Sequence, residues 1–180
     1  MSDKQKSHKS TINSPSIPPG YKQTAVGVIP GDWEVKTLHE IAIIKTGPFG
    51  TLLKASEYSD SDGVPLISVG EIREGFLRIT DDTPYVPKAV IRRLPQYVLK
   101  KGDIVFGRKG GVERSALIRQ QQDGWFLGSD GISVHPTKDC HEEYIAFQFQ
   151  STRVSSHTKE IWYSWPKPPK ISMTAFFMLP

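Results

Sequence analysis

The side chains best suited to bind a ligand lie in a glycine-rich turn that carries two cations. Residues 107–111 read Gly-Arg-Lys-Gly-Gly, which places Arg108 and Lys109 among three glycines. Glycine lets a bulky partner approach the backbone closely, and a guanidinium fork can bind a phosphate or the edge of a guanine. We therefore expect anion or base recognition here, with Arg114 beside the turn. An ordinary solvated hairpin tip would carry the same residues.

The segments on either side of this turn predict a β-hairpin. Ile104, Val105 and Phe106 form a β-branched and aromatic run, and residues 115–118 form a returning strand. Residues 88–119 contain nine Lys or Arg and only two acids, whereas residues 54–82 contain three basic and seven acidic side chains. The charge is polarised along the chain, so an anionic partner would bind at the hairpin.

A second candidate binding loop covers residues 46–54, Thr-Gly-Pro-Phe-Gly-Thr-Leu-Leu-Lys. Gly-Pro and Phe-Gly are turn-forming pairs, so the loop has a defined shape and presents Phe49 between them. Thr46 and Thr51 add hydroxyls, and Lys54 adds a cation. The loop lacks the Gly-Lys-Ser/Thr ending of a phosphate-binding loop. A Phe49 that plugs the core and a Phe49 that faces a ligand both fit this pattern.

Length and composition indicate one globular domain with an appended tail. The chain has 180 residues, of which 37% are hydrophobic and 23% charged. We predict a disordered basic tail over residues 1–27 and the domain over 28–180. The single cysteine, Cys140, excludes an internal disulfide and fits a reducing cytoplasm. No apolar run approaches the length of a membrane span, so we expect a cytoplasmic protein without membrane association.

Catalytic and metal-binding patterns are scarce in this sequence. Zinc-ligand spacing, the His-Glu-x-x-His and Gly-x-Ser-x-Gly motifs and a dinucleotide-binding fingerprint are all missing. Residues 57–63 resemble a calcium loop but lack its distal glutamate. Asp130, Ser133 and His135 would support a hydrolase, although their spacing along one strand suits a catalytic triad poorly. We expect no metal site and no enzymatic activity.

Hydrophobic periodicity and turn residues predict the remaining elements. They are a helical turn capped by Thr37, a strand over 64–69 paired with 76–80, a helix over 88–94, a hairpin of 125–127 with 132–134, and a helix over 141–153. Tyr144, Ile145, Phe147 and Phe149 are expected to form the core face of the last helix.

The order of these pieces resembles a known family. The pieces that carry the resemblance are Ile29-Pro30-Gly31-Asp32-Trp33, Leu38-x-x-Ile41, Thr46-Gly47, Gly63-Val64-Pro65-Leu66-Ile67-Ser68, Leu99-x-x-Gly102-Asp103-Ile104-Val105, Arg108-x-Gly110 and Pro169-Lys170-Ile171-Ser172. Over residues 28–180 they resemble one target recognition domain of the DNA specificity (S) subunit of type I restriction-modification enzymes. The spacer helix that follows such a domain in the family is expected to be missing from this chain.

The resemblance implies an α+β fold with a mixed or antiparallel sheet, short helices and long loops. It also implies a domain that enters the major groove of double-stranded DNA and reads half of a split target. Methyltransferase (M) and restriction (R) subunits would be its partners, and these would use S-adenosylmethionine, ATP and magnesium, while this chain binds no cofactor. The DNA-binding residues expected on this basis are Thr46, Phe49, Thr51, Lys54, Arg108, Lys109 and Arg114.

A different function remains compatible with the sequence. The aromatic segment over residues 162–169 could engage a methyltransferase subunit, which would make the chain a protein-binding module or decoy without sequence-specific DNA binding.

Overall fold

The computed structural model describes residues 17–24, 27–108 and 114–150, together with the backbone of residues 176–179. The strands are β1 (Tyr21–Thr24), β2 (Gly27–Pro30), β3 (Glu34–Thr37), β4 (Ala42–Thr46), β5 (Val64–Ile67), β6 (Tyr85–Val86), β7 (Ile104–Gly107), β8 (Ser115–Leu117), β9 (Phe126–Leu127), β10 (Gly131–Pro136) and β11 (Phe176–Leu179). The α-helices are α1 (Leu38–Ile41), α2 (Lys88–Arg93) and α3 (Glu142–Gln150). Short 3-10 helices cover Gly50–Leu52, Ala55–Glu57, Pro95–Tyr97 and Gln120–Gln122.

The chain divides into two compact units, one of residues 1–35 and 178–180 and the other of residues 36–177. In the first unit, β1 and β2 form an antiparallel hairpin, and the Thr24 hydroxyl donates to the Gly27 carbonyl at 2.8 Å. The sequence placed Tyr21–Thr24 in the disordered tail, because this polar strand has no hydrophobic alternation. Its order comes from backbone pairing, which sequence periodicity does not report.

The second unit contains a four-stranded antiparallel sheet in the order β4-β10-β7-β8. The predicted hairpin of β7 and β8 is confirmed, with Phe106 opposite Ser115. Strand β10 lies between β4 and β7, so Ile132 stands opposite both Thr46 and Phe106. Because neighbouring strands are antiparallel, β4 and β7 end where β8 and β10 begin. One end of the sheet therefore carries four strand termini close together, and we call it the loop end.

A second sheet has the order β6-β5-β9, with β6 antiparallel and β9 parallel to β5. The expected hairpin of residues 125–127 with 132–134 is wrong, because β9 pairs with β5 while β10 pairs with β4 and β7. Gly128 N donates to Ile67 O at 2.8 Å, which prolongs the parallel pairing past the end of β9. The expected strand over 76–80 is also wrong. It is reduced to a single bridge between Ile72 and Leu77, and β6 takes the free edge of β5.

The short helices confirm two of the sequence expectations. Thr37 caps α1, and both its backbone N–H and its hydroxyl donate to Glu40, at 2.6 and 2.7 Å. These hydrogen bonds lower the pKa of the Glu40 carboxyl. Helix α2 occupies the predicted basic segment. None of the helices in the described ranges is long and apolar enough to cross a membrane.

Hydrophobic clusters of described residues stabilise the second unit. One joins both sheets through Ile67, Ile72, Leu99, Val105, Ala116, Ile118 and Leu127. Another lies between the β6-β5-β9 sheet and α2, through Leu53, Leu66, Val86, Val90, Leu94 and Phe126. The short helices and the mixed strand pairing confirm the predicted α+β class.

Helix α3 corrects the predicted core face. Ile145 and Phe149 are buried as expected, and the Phe149 ring packs edge-on against Phe106 with 4.4 Å between centroids. Tyr144 is half-buried. Phe147 was expected in the core but is 67% exposed. It lies two residues from both Ile145 and Phe149, which at about 100° per residue places it on the opposite face of the helix.

Candidate nucleic-acid interface

The loop end of the four-stranded sheet brings together segments that are far apart in the sequence. Thr46 ends β4, Arg108 directly follows β7, and Arg114 directly precedes β8. The turn over residues 128–131 leads into β10, which lies between β4 and β7. Lys109, which the sequence also predicts as a binding residue, lies outside the described residues. The Gly-Pro-Phe-Gly loop and the basic hairpin thus start from neighbouring positions.

The Arg108 side chain lies over the Phe49 ring, with 4.2 Å between the guanidinium carbon and the ring centroid. This is a cation–π contact, which orients a guanidinium group without consuming its hydrogen-bond donors. Phe49 is 41% exposed, so it does not plug the core. The structure therefore places Phe49 on the surface, beside Arg108. The sequence predicted both residues as DNA contacts but did not predict that they touch.

Asp130 is a third member of this arrangement that the sequence did not propose as a DNA contact. Arg108 N donates to Asp130 O at 2.7 Å, and Arg108 Nη2 lies 3.8 Å from Asp130 Oδ1. Burial raises the pKa of the nearby Tyr58 hydroxyl, and the charge of Asp130 raises it further. The only signal in the sequence was a Gly-Ser-Asp-Gly turn, which predicts a bend and says nothing about its neighbours.

Glycines allow the loops to pack backbone against backbone. Gly47 N donates to Gly131 O at 2.9 Å, and a Cβ on Gly47 would lie 1.8 Å from Gly128 O. A Cβ on Gly128 would lie 2.0 Å from the Ser68 hydroxyl oxygen. Real Cβ atoms do not approach other atoms so closely. The loop of residues 46–50 and the turn of residues 128–131 are therefore held in fixed contact, which positions Phe49 and Arg108.

The other predicted site residues take different positions. Thr46 and Arg114 are half-buried at the loop end, whereas Thr51 and Lys54 are exposed on the segment that follows Phe49. Arg93 on α2 anchors that segment, because its Nη1 donates to Leu52 O at 3.0 Å and its guanidinium pairs with Glu57. Sequence reasoning missed this anchor, which joins residues 36 or more positions apart. The predicted DNA contacts of all these residues remain predictions.

The pH dependence of stability should reveal this anchor. Lys54 N donates to Glu57 Oε2 at 2.9 Å, and this hydrogen bond, with Arg93, lowers the pKa of Glu57 below its ordinary value of 4.5. The stabilisation is complete above the unfolded-state pKa and is lost as the pH falls through the folded-state pKa. We expect Glu57→Gln to lower the thermal midpoint at neutral pH and to match the wild type once Glu57 is protonated in both states.

Thermal unfolding of both proteins over a pH series measures this difference. Glu74→Gln controls for the removal of one exposed surface carboxylate. A difference in thermal midpoint between Glu57→Gln and the wild type that stays constant down to acid pH would contradict the role of the Glu57 charge.

The structure does not bring Asp130, Ser133 and His135 together as the catalytic triad of a hydrolase. His135 Nδ1 lies 2.5 Å from the buried carboxylate of Asp103, not from Asp130, which faces Arg108. Asp130 and His135 are five residues apart along extended chain, a separation of about 16 Å at 3.3 Å per residue. The two side chains therefore lie at opposite ends of β10, too far apart to share a proton.

One further cluster of ligand-type atoms occurs among the described residues. His141, Glu142 and Glu143 bring their ligand atoms within 4.8 Å of one another at the start of α3. His141 Nδ1 lies 2.9 Å from Glu143 Oε2, so the two can form a surface ion pair when the histidine is protonated. A Cβ on Gly102 would lie 3.7 Å from Glu142 Cγ, and Gly102 precedes β7. The cluster is therefore near the end of the sheet opposite to Arg108.

Known proteins of one kind are similar to this chain. The family model for the type I restriction modification DNA specificity domain matches residues 30–167. The chain is 36% identical over 86 residues to the type I restriction enzyme MjaVIII specificity subunit of Methanocaldococcus jannaschii, covering 47% of this chain and 19% of that protein. It is 28% identical over 128 residues to the putative type I restriction enzyme MjaX specificity subunit of the same organism, covering 69% of this chain and 29% of that protein.

The same fold occurs in a solved structure. The crystal structure of the HsdS subunit from Thermoanaerobacter tengcongensis matches with a TM-score of 0.62 and 13% identity, covering 89% of this chain and 36% of that chain. The chain thus spans only 19% to 36% of the lengths of these three relatives. Because the family model matches most of the chain, the chain belongs to the family of type I restriction-modification DNA specificity domains.

Proposed function

We propose that this chain recognises part of a DNA target sequence, as the recognition domain of a type I restriction-modification specificity subunit. The observation that carries the proposal is the Arg108 guanidinium stacked on Phe49 at the loop end of the sheet. Arginine is the side chain that most often reads guanine, through two hydrogen bonds to O6 and N7 in the major groove. A ring that fixes the guanidinium plane reduces the entropy lost when those bonds form.

Exposed cations elsewhere in residues 88–119 supply the second component of DNA binding. Between α2 and the end of the hairpin, the exposed basic residues are Lys88, Arg92, Arg93, Lys100, Lys101 and Arg119. Contacts from such side chains to phosphates provide affinity and register without sequence information. In this function they position the domain, and the loop-end residues read the bases.

Catalysis belongs to other subunits in this proposal. The chain acts as a non-catalytic part of a cytoplasmic complex and directs a methyltransferase (M) and a restriction (R) subunit to the DNA. S-adenosylmethionine, ATP and magnesium are used by those subunits and not by this chain. Support comes from the relatives, which are named as specificity subunits of restriction enzymes.

Selection of bound sequences from random duplex DNA tests the function. The full chain is incubated with the library at near-physiological salt, alone and together with a cognate methyltransferase subunit. Enrichment of a short defined motif in either sample is the expected result. Equal binding to all sequences with steep salt dependence would overturn the proposal and favour the protein-binding module, whose aromatic segment lies outside the described residues.

Substitution of Arg108 should affect discrimination more than affinity. Arg108→Ala is expected to remove about 1–3 kcal/mol of preference at one base position, because the two-pronged contact to guanine is lost. Arg108→Lys keeps the charge but not the fork, so it should retain most of the affinity for unrelated DNA and still lose the preference for the selected duplex. Binding of the selected duplex and of its single-base variants measures both quantities.

Lys101→Ala is the matched control, since Lys101 is exposed, carries the same charge and precedes β7, whereas Arg108 follows it. If Lys101 contacts phosphate, its removal weakens binding to all duplexes equally. It also reduces by about one the slope of the logarithm of the binding constant against the logarithm of the salt concentration. A preference that survives Arg108→Ala unchanged would exclude Arg108 as a base-reading residue.

A further inference from the structure

Two apolar side chains are exposed close together in the loop that follows β4. Phe49 and Leu52 enclose a single tight turn, because Leu52 N donates to Phe49 O at 3.2 Å across the 3-10 helix Gly50–Leu52. Such a turn brings its first and last Cα atoms to within about 7 Å. Leu52 is 45% exposed, and Phe49 is exposed although Arg108 lies over its ring. We call Phe49 and Leu52 the apolar tip.

Both ends of this turn are anchored in the fold. Before the turn, Gly47 packs its backbone against residues 128–131. After the turn, Leu53 is buried in the hydrophobic cluster beside α2, and Arg93 Nη1 donates to Leu52 O at 3.0 Å. The apolar tip is therefore held in place while its side chains are exposed, so little further conformational entropy is lost when a partner covers it.

The apolar tip is continuous with the surface that is proposed to face DNA. The Phe49 ring centroid lies 4.2 Å from the Arg108 guanidinium carbon. Single exposed apolar side chains need no explanation, but a rigid pair beside a binding surface indicates a partner that covers it. Phosphates and the hydrogen-bonding groups of the base edges gain nothing from contact with hydrocarbon. The apolar group that base pairs present in the major groove is the C5-methyl of thymine.

Resting on the function proposed above, we propose that the apolar tip reads a T·A base pair by packing Phe49 and Leu52 against the thymine methyl group. Cytosine carries only a hydrogen at this carbon, so the contact discriminates between the two pyrimidines. A methyl group is recognised by apolar contact, so this reading uses no hydrogen-bonding group of Arg108 or Asp130. Leu52 is then a specificity-determining residue, although the sequence did not predict it as a DNA contact.

Deletion of the thymine methyl group from the DNA tests this contact directly. The full chain, in whichever form binds, alone or with the methyltransferase subunit, first selects a motif from random duplex DNA. Each thymine of the motif is then replaced in turn by uracil, which keeps the hydrogen-bonding groups of thymine and lacks only its methyl group. We expect an invariant T·A pair at which uracil weakens binding about 4-fold, the value for burial of one methyl-sized group. Uracil in the flanking DNA controls for changes in duplex shape and should have no effect.

Two variants connect this uracil effect to the apolar tip. Leu52→Ala leaves the contact of Phe49 with Arg108 in place, and a double variant adds Phe49→Ala. We expect the ratio of thymine to uracil affinity to fall in Leu52→Ala and to vanish as a preference in the double variant. Each ratio is measured within one protein, so a loss of folded protein does not change it. Ile43→Ala is the matched control, because it shortens another exposed aliphatic side chain of the same unit and should keep the ratio of the wild type.

The outcomes distinguish this inference from the function on which it rests. A motif without an invariant T·A pair, a motif whose thymines all tolerate uracil, or a full uracil effect in Leu52→Ala would overturn the reading of thymine while sequence recognition stands. If the double variant binds neither duplex, the ratio for Leu52→Ala decides. The absence of any motif with the wild type, alone and with the methyltransferase subunit, would overturn both.

Discussion

Replacing Gly47 by alanine is expected to destabilise the second unit by about 3 kcal/mol, the upper part of the range for overpacking. The added methyl group would lie 1.8 Å from Gly128 O and 2.6 Å from Gly128 C, both of which are backbone atoms. No side chain can rotate away to make room, so the loop of residues 46–50 must move off the turn of residues 128–131. The hydrogen bond from Gly47 N to Gly131 O would be strained or lost with it.

Movement of this loop should also reduce DNA discrimination, because Phe49 would no longer lie under Arg108. Urea unfolding measures the stability of the variant, and binding to the selected duplex measures the discrimination. Gly70→Ala is the matched control, since a Cβ on Gly70 meets no atom within 4 Å. We expect Gly70→Ala to leave both quantities within about 0.5 kcal/mol of the wild type. Equal stability of the two variants would show that the backbone contact at Gly47 is absent in solution.

Phe149→Ala is the second substitution for which we expect a large effect, a loss of about 3–5 kcal/mol of unfolding free energy. The Phe149 side chain is 3% exposed and packs edge-on against Phe106 of β7. Its removal leaves a cavity between α3 and the sheet and also removes an aromatic pair, itself worth about 0.5–1.5 kcal/mol. Since Phe106 lies two residues before Arg108, the cavity should also loosen the strand that supports the reading side chain.

Phe147→Ala is a stringent control for this prediction. It removes the same side chain from the same helix, two residues away, at a position that is 67% exposed. We expect its unfolding free energy to stay within about 0.5 kcal/mol of the wild type. Chemical denaturation of both variants measures the difference. A similar loss for the two variants would mean that α3 packs in a different rotation from the one described.

The two substitutions show how the scaffold supports the proposed site. The loop end is held by strand pairing, by glycine contacts between two turns and by a helix packed under the hairpin. Side chains that read bases must be fixed in direction, and rigid elements fix them better than long loops do. The exposed surface can then vary without loss of the fold.

The sequence by itself determined the local elements and the type of chemistry. The Gly-Arg-Lys-Gly-Gly turn between two β-branched runs predicted the β7–β8 hairpin, and Thr37 with Glu40 predicted the capped turn of α1. These features depend on neighbouring residues, whose side-chain sterics and hydrogen bonds act over a few positions. The order of short motifs was sufficient to identify the family, which the family model confirms.

Errors arose where local signals were ambiguous or misread. Residues 125–127 and 132–134 flank a Gly-Ser-Asp-Gly turn, which predicted a hairpin. Strand β9 instead pairs with β5, a long-range partner that turn residues do not report. Phe147 shows a different kind of error. Its spacing from Ile145 and Phe149 places it on the opposite helix face, although a phenylalanine is typical of a core position.

Only the tertiary structure decided which loops meet. Phe49 and Arg108 are 59 positions apart in the sequence, and Asp130 is a further 22 positions away. Their meeting depends on β10 lying between β4 and β7, an order set by burying both sheet faces and satisfying backbone hydrogen bonds across the whole unit. The sequence therefore specified the side chains capable of reading DNA. Strand order brought a cation, an aromatic ring and a carboxylate to one end of the sheet. Local sequence could not show this meeting, because long-range strand pairing is a property of the folded chain as a whole.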